Sequence, residues 1–296
     1  MNRVWRGAAL ALLLAGTLSA TVRAATGRAE CVSLQSKILA RAVPYCVLLP
    51  PSFDAEKSRR YPILYLLHGL GDNEQMLIHS GGINLVEDLW EQHRIGEFLI
   101  ATPAAGATFY INSRDGRRRY EDFFVQEFLP AVERKYRARA SRDSRAIAGI
   151  SMGGYGALHL AFRHPQLFSV VGAHSAALLE KLPNVSEQST RQINGLRILS
   201  GAFGSPFDTA YWMRNDPLTI ARSANLAGLK IYFDCGLQDD FGFEAGAAAL
   251  DKLLTSRHVA HEFHLYPGGH DWSYFAEHLP ALLEFVSHVF QLRRAR

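Results

Sequence analysis

The stretch AIAGISMGGYG (146–156) holds one serine, Ser151, among four glycines, directly after an apolar run. Glycine weakens both strands and helices, so this density of glycine needs a local reason. Residues 149–153 read Gly-Ile-Ser-Met-Gly, and G-x-S-x-G between a strand and a helix is typical of a sharp turn that holds a nucleophilic serine. A bland glycine-rich loop has the same composition, and the surrounding sequence decides between the two interpretations.

Strand and helix patterns alternate on both sides of this stretch. Apolar runs of strand length occur at 61–69, 98–103, 144–151, 168–176, 230–236 and 261–267, and helical patterns at 83–94, 120–137, 152–164, 243–258 and 272–292. This alternation predicts an α/β fold, a mostly parallel sheet covered by helices on both faces. We expect the opening strands, 31–39 and 43–50, to form an antiparallel edge. Residues 176–229 fit the rhythm least and are interpreted as an insertion over the sheet.

The first residues differ from the rest of the chain. Two arginines precede the apolar run GAALALLLAGTLSA (7–20), and VRA (22–24) supplies small residues at the positions that signal peptidase reads. We therefore interpret 1–24 as a cleaved secretory signal, with a retained membrane anchor as the alternative, and 25–296 as a single domain.

Removal of 1–24 lowers the formal charge from +4 to +1, because the segment carries three arginines and no acidic residue. The run GRRRY (116–120) is then the densest cationic segment, and such a run usually belongs to a solvated loop. Neither nucleic-acid binding nor a stable membrane anchor after cleavage is expected.

The chain has three cysteines. Cys31 and Cys46 flank a predicted hairpin, and an exported protein can keep a disulfide, but the sequence leaves their pairing open. Cys235 lies inside an apolar run and is interpreted as a buried free thiol.

A nucleophilic serine needs a base, and the base needs an orienting carboxylate. In sheets of this class these partners follow the serine in the order Asp or Glu, then His, each after a strand. His270 follows the last predicted strand in PGGHDW, and CGLQDDF offers Asp239 and Asp240 after the strand before it. Asp239 is favoured because it comes sooner after the strand, and the other carboxylate is left as a solvated group or a helix N-cap.

Acyl transfer also needs N–H donors for the developing oxyanion. The backbone N–H of Met152, which follows the serine, is one candidate, and that of Leu70 in LLHGLGD (66–72) is the other. The alternative is that His68 and Gly69 merely cap a buried strand. The sequence has no C-x₂-C pair, H-E-x-x-H, G-x-G-x-x-G or P-loop lysine, so neither a metal nor another cofactor is predicted.

These segments together resemble the esterase D family of α/β-hydrolases, which includes feruloyl and acetyl-xylan esterases, S-formylglutathione hydrolases and mycolyltransferases. The likeness covers residues 32–292 and rests on LLHGLGD, FYINSRDGRRRYEDFF, AIAGISMGGYGALHLAFRHPQLF, CGLQDDF and PGGHDW. The resemblance implies an α/β-hydrolase fold, a triad of Ser151, Asp239 and His270, and oxyanion donors at Leu70 and Met152.

The resemblance also makes the FYINS segment, with Tyr110 and Asn112, a wall of the substrate cleft. In the family, substrate choice varies with the insertion, which here carries four aromatic residues: Phe203, Phe207, Tyr211 and Trp212. They could line an aromatic acyl pocket, with Trp212 touching the substrate, or form the insertion's own small core.

The leading interpretation is an exported serine carboxylesterase that acts on a small-molecule or carbohydrate-linked ester. An acyltransferase would use the same acyl-enzyme with an alcohol in place of water. A thioesterase similar to S-formylglutathione hydrolase fits the fold, and an inactive binding module is the interpretation outside enzymes. The pattern leaves the acyl group, the alcohol and the oligomeric state open.

Overall fold

A computed structural model describes residues 26–180 and 199–294. The predicted signal peptide, 1–24, lies outside the described residues, and so does part of the predicted insertion, 181–198. Among the helices of the described residues, none has the length and apolar character that crossing a membrane requires.

Eight strands form one sheet in the order β1-β2-β4-β3-β5-β6-β7-β8 among the described residues. The strands are β1 Arg28–Ser36, β2 Arg41–Leu49, β3 Ile63–Leu67, β4 Leu99–Pro103, β5 Arg145–Ile150, β6 Val170–His174, β7 Lys230–Gly236 and β8 Glu262–Tyr266. β1 and β2 pair antiparallel, as does β2 with β4, and all other neighbours are parallel. The predicted parallel sheet with an antiparallel edge is confirmed.

The helices connect these strands. They are α1 Met76–His79, α2 Gly82–Glu91, α3 Tyr120–Phe123, α4 Leu129–Lys135, α5 Met152–Arg163, α6 at 199–203, α7 Thr209–Asn215, α8 Pro217–Ile220, α9 Phe243–Ser256 and α10 Trp272–Arg294. A π-helical turn, Phe124–Phe128, joins α3 to α4, just before Pro130. Because proline has no N–H to continue the α-helical ladder, the long predicted helix 120–137 is interrupted there.

Apolar cores lie on both faces of the sheet. On one face, Leu158 of α5 and Leu250 of α9 belong to the larger cluster. On the other, Val86 of α2 and Leu279 of α10 belong to a second cluster. All five residues of β3 are buried, as expected of a parallel strand covered on both sides.

The edge hairpin carries a disulfide. Cys31 of β1 lies directly opposite Cys46 of β2, and their sulfur atoms are bonded. The pairing that the sequence left open is thus present in the structure. Cys235, in β7, is a buried free thiol as predicted.

Candidate active site

Ser151 occupies a strained turn between β5 and α5. Its backbone has φ 56° and ψ −116°, in a region that L-residues rarely adopt and that costs free energy unless neighbours hold it. The Ser151 N–H donates to the His174 carbonyl at 2.9 Å, and the Ser151 carbonyl accepts from the N–H of Ala177 at 3.0 Å. These bonds to the segment that contains β6 fix the turn.

Two of the surrounding glycines are required by close backbone contacts. A Cβ added at Gly149 would lie 2.2 Å from the backbone of Gly153, and a Cβ at Gly153 would lie 2.1 Å from the Leu67 carbonyl oxygen. Neither contact is compatible with a side chain, so the strand, the turn and the helix can pack this closely only with glycine at both positions. The density of glycine around Ser151 therefore reflects a tight strand-to-helix turn rather than a flexible loop.

Three side chains from three loops form a continuous hydrogen-bonded chain. His270 Nε2 lies 2.9 Å from Ser151 Oγ, and His270 Nδ1 lies 2.7 Å from Asp239 Oδ2. An ionised carboxylate can only accept hydrogen bonds, so Nδ1 carries the proton and Nε2 is left to accept from the serine hydroxyl. The parallel strands β5, β7 and β8 bring these loops to one end of the sheet.

The environment of Asp239 keeps it ionised although its side chain is buried. Burial opposes the charge, but the hydrogen bond from His270 and the N–H of Phe241 outweigh it and lower the pKa of the Asp239 carboxyl. The Cys235 thiol lies 3.5 Å from the same Oδ2 atom, and burial raises the pKa of that thiol, so it remains a donor.

Asp240, the second carboxylate that the sequence offered, differs from Asp239 in its exposure. It is exposed, and the helix that follows begins with Gly242 at its N-cap and no side-chain cap. The N-cap role considered for the second carboxylate is therefore wrong for Asp240. Instead, Asp239 Oδ1 accepts the N–H of Phe241 at 2.9 Å and that of Phe243 at 3.5 Å.

The turn after β3, residues 68–72, lies beside the serine. A Cβ added at Gly69 would be 3.6 Å from Ser151 Cβ. His68 is fully buried and braces this turn: its Nδ1 lies 2.7 Å from the Gly69 carbonyl, and its Nε2 accepts the N–H of Ala105 at 3.0 Å. Burial lowers the pKa of His68, which keeps the ring neutral in this one tautomer. His68 and Gly69 therefore shape the 68–72 turn and do not merely cap strand β3.

Leu70 and Met152, the predicted oxyanion donors, follow the ends of strands β3 and β5. Leu70 follows the braced Gly69, and its side chain is 41% exposed. Met152 is the first residue of α5, where an N–H has no acceptor in a preceding helical turn and the helix dipole favours negative charge. The turn that contains Leu70 follows β3 and helix α5 follows β5, and these two strands are parallel neighbours in the sheet.

The structure does not bring Tyr110 and Asn112 to the serine as cleft-lining side chains. Tyr110 is fully buried, and its hydroxyl donates to the His68 carbonyl at 3.0 Å, from beneath the 68–72 turn. Asn112 uses its side-chain oxygen to accept the N–H of Asp122 at 3.2 Å, at the start of α3. Both side chains are engaged within the protein.

Trp212 is buried as well, at 3% exposure. Its ring lies 4.7 Å from that of Phe203 and 5.7 Å from that of Tyr155 in α5, and Phe207 lies 5.9 Å away. These aromatic side chains form a core between the described part of the insertion and α5. The aromatic residues of the insertion could have lined an acyl pocket or formed a core, and this packing matches the core.

A group of aromatic rings surrounds His270. The sequence patterns above did not predict this group. Phe241, Phe275 and Phe243 lie 4.8, 5.3 and 5.5 Å from the imidazole, all nearly perpendicular to it. The signal was available in DDFGF, where two phenylalanines follow Asp239 closely. A cavity of about 530 Å³ opens beside the 68–72 turn and is lined by residues 70–72, 106–107 and 200–201.

Known proteins share this architecture and sequence. The family model described as "Putative esterase" matches residues 36–286. An esterase of Mycobacterium tuberculosis is 30% identical over 242 residues, 76% of this chain and 51% of that protein, so the chain spans about half of that relative's length. An acetyl esterase of Caldicellulosiruptor saccharolyticus is 23% identical over 267 residues, 87% of this chain and 97% of that protein.

Solved structures agree with these relatives. A ferulic acid esterase superposes with a TM-score of 0.76 at 30% identity, covering 90% of this chain and 99% of that one. An S-formylglutathione hydrolase from Agrobacterium tumefaciens has a TM-score of 0.72 at 18% identity, covering 90% and 97%, and its likeness concerns the fold alone. With the matched family model, these similarities show that the chain belongs to the "Putative esterase" family, an esterase D-like group of α/β-hydrolases.

Proposed function

We propose that this protein is an exported carboxylesterase that hydrolyses a small or carbohydrate-linked ester through an acyl-enzyme on Ser151. The observation that carries the proposal is the hydrogen-bonded chain from Ser151 through His270 to Asp239, with distances of 2.9 and 2.7 Å. Distances in this range allow proton transfer without rearrangement of the side chains.

In the first half-reaction, Ser151 Oγ attacks the ester carbonyl carbon as its proton passes to His270 Nε2. The ring then carries a positive charge, which the ionised Asp239 stabilises through the Nδ1–H bond. The low pKa of the Asp239 carboxyl means that it stays ionised and does not take this proton itself.

The attack places a negative charge on the former carbonyl oxygen. The N–H groups of Leu70 and Met152 are proposed to donate to it, one from the braced 68–72 turn and one from the first turn of α5. Because His68 and Tyr110 hold that turn before substrate arrives, little reorganisation is needed when the charge develops.

Collapse of the tetrahedral intermediate breaks the bond to the leaving oxygen, which takes the proton from His270 Nε2 and departs as the alcohol. Water then enters, gives a proton to the same nitrogen and attacks the acyl carbon. When the second tetrahedral intermediate collapses, the bond from the acyl carbon to Ser151 Oγ breaks, and His270 Nε2 returns the proton to Oγ. The products are the carboxylic acid and the restored Ser151 hydroxyl. The leaving alcohol must lie beside His270, so the acyl group is proposed to extend away from it, into the cavity of about 530 Å³ beside Leu70.

The relatives narrow the class of ester. One is named an acetyl esterase and another a ferulic acid esterase, so both are named for esters of small carboxylic acids. These two names fit a proposed substrate with a small acyl group.

Export is part of the proposal. The segment 1–24 has the pattern of a secretory signal, and the Cys31–Cys46 disulfide is of a kind that persists in oxidising compartments outside the cytosol. Sequencing of the N-terminus of the protein recovered from the periplasm or medium is expected to begin at or near Ala25. Recovery of a chain that begins at Met1 would contradict export with cleavage.

The test of the chemistry is Ser151→Ala, assayed against a panel of esters and with a fluorophosphonate probe. Both turnover and labelling are expected to be lost while the folded state remains. Ser169→Ala is the matched control, because Ser169 lies before β6, at the end of the sheet remote from His270. Substantial turnover by Ser151→Ala, or a probe adduct on another residue, would overturn the proposed mechanism.

A further inference from the structure

Phe241 is an exposed aromatic side chain beside the candidate base. Among the large apolar side chains that the structure describes, it is the most exposed, at 58%, and its ring centre lies 4.8 Å from that of His270. The same loop also exposes Leu237, at 47%. Apolar surface in contact with water is unfavourable, so two such side chains on one short loop at the active site call for a binding partner.

The other two rings around His270 differ from Phe241. Phe275 is buried, and Phe243 is half-buried, so these two serve mainly to hold the imidazole. Phe241 stacks on Phe243 with an interplanar angle of 17° and ring centres 5.4 Å apart. The stacking fixes the plane of the Phe241 ring and leaves the ring partly open to solvent.

The backbone of Phe241 is fixed too. Its N–H donates to Asp239 Oδ1 at 2.9 Å, while Asp239 Oδ2 accepts from His270. The carboxylate that orients the base therefore also sets the position of the exposed ring. Such preorganisation is what a binding surface requires, because little conformational entropy remains to be lost when a ligand binds.

We infer that Phe241 forms the subsite for the leaving alcohol and that this alcohol presents the apolar face of a ring. This inference rests on the proposed function, in which His270 protonates the leaving oxygen. A group bonded to that oxygen must pass within a few ångströms of the imidazole, and Phe241 is the exposed ring at that distance. Aromatic rings bind flat apolar faces by stacking, and both a sugar ring and an aromatic alcohol offer one.

The experiment compares esters of one acid with three alcohols: methanol, benzyl alcohol and a monosaccharide. Phe241→Ala is expected to lower kcat/KM about tenfold for at least one of the two ring alcohols and less than twofold for the methyl ester. Loss on the sugar ester alone identifies a saccharide as the leaving group, and loss on the benzyl ester alone identifies an aromatic alcohol. Phe241→Trp, which keeps a flat ring, is expected to retain the preference.

Controls separate this inference from the proposed function. Leu292→Ala removes an apolar side chain of similar exposure on α10 and is expected to leave all three rates unchanged. The rate of fluorophosphonate labelling of Phe241→Ala reports whether His270 still activates Ser151. Equal losses on all three esters, or no loss on any, would overturn the subsite. Absence of turnover by the unaltered protein on every ester would instead overturn the proposed function.

Discussion

Replacement of Asp239 by asparagine isolates the role of one carboxylate oxygen. In the native site, Oδ1 accepts two backbone N–H groups, from Phe241 and Phe243, and Oδ2 accepts the Nδ1–H of His270. The amide of asparagine must place its NH₂ group, which only donates, at one of these two positions. Backbone N–H groups cannot turn into acceptors, whereas the imidazole can exchange tautomers. We therefore expect the NH₂ group to face His270.

The consequence is a base in the wrong tautomer. If Nδ1 accepts from the amide, the ring proton moves to Nε2, and Nε2 can no longer take the proton of Ser151. The equivalent change in a serine protease triad lowers kcat about 10⁴-fold. We expect a similar loss here, which corresponds to about 5.5 kcal/mol of transition-state stabilisation. Loss of the charge-assisted hydrogen bonds is expected to cost about 1–3 kcal/mol of the free energy of unfolding.

Asp240→Asn is the matched control for this experiment. Asp240 is the adjacent residue with the same side chain, but it is exposed, and exposed substitutions usually change stability by less than about 0.5 kcal/mol. Its kcat is expected to stay within twofold of the unaltered protein. Both variants are compared by kcat at saturating ester and by thermal unfolding. A kcat for Asp239→Asn within tenfold of normal, or a larger loss for Asp240→Asn, would refute this reasoning.

Two further predictions concern the framework of the site. Tyr110→Phe removes the hydrogen bond to the His68 carbonyl beneath the 68–72 turn. We expect kcat to fall about tenfold and the free energy of unfolding to drop by about 1–3 kcal/mol. Unchanged turnover would show that the turn needs no such support. Gly153→Ala places a methyl group 2.1 Å from the Leu67 carbonyl oxygen, so we expect a loss of about 3 kcal/mol or more in chemical denaturation, or no folded protein. Gly96→Ala, whose methyl group would meet the end of the flexible Gln291 side chain at 3.3 Å and Ser287 Oγ at 3.6 Å, should cost far less.

The central sheet was predictable because its strands are buried on both faces. A strand such as β3 has no solvent side, so it reads as a continuous apolar run that stands out between helical patterns. The edge strand β1 was placed three residues late, at 31–39 instead of Arg28–Ser36. An edge strand alternates between exposed and covered residues, so its apolar pattern is weak. The ends of β1 are set by its pairing with β2, and a short-range sequence pattern carries no information on that pairing.

The triad was accessible from the sequence for a topological reason. Parallel strands present their carboxyl ends at one edge of the sheet, so polar residues that follow β5, β7 and β8 converge wherever they lie in the chain. The structure brings Ser151, Asp239 and His270 together in this way. The same argument underlies the prediction of Leu70 and Met152 as backbone donors, since they too follow strand ends.

The choice of substrate-contacting side chains was harder, because it depends on the direction in which aromatic rings point. Phe109 and Tyr110 both adopt positive φ, 52° and 60°, which turns their side chains into the core. The segment FYINS does not predict this backbone conformation, because neither phenylalanine nor tyrosine favours positive φ. Trp212 likewise is buried against α5, a contact between segments more than fifty residues apart in the chain.

Asp239 links the candidate base to the proposed binding surface. One oxygen of the carboxylate holds the imidazole, and the other holds the backbone of the loop that exposes Phe241. A change of the Phe241 side chain is therefore expected to alter which alcohol binds and to leave the carboxylate that orients the base in place, because Asp239 holds the backbone N–H of Phe241 and not its ring. A change at Asp239 cannot be so selective, since it disturbs the base and the ring position at once. Because of this asymmetry, substitutions at Phe241 are expected to separate substrate choice from catalysis, whereas substitutions at Asp239 are not.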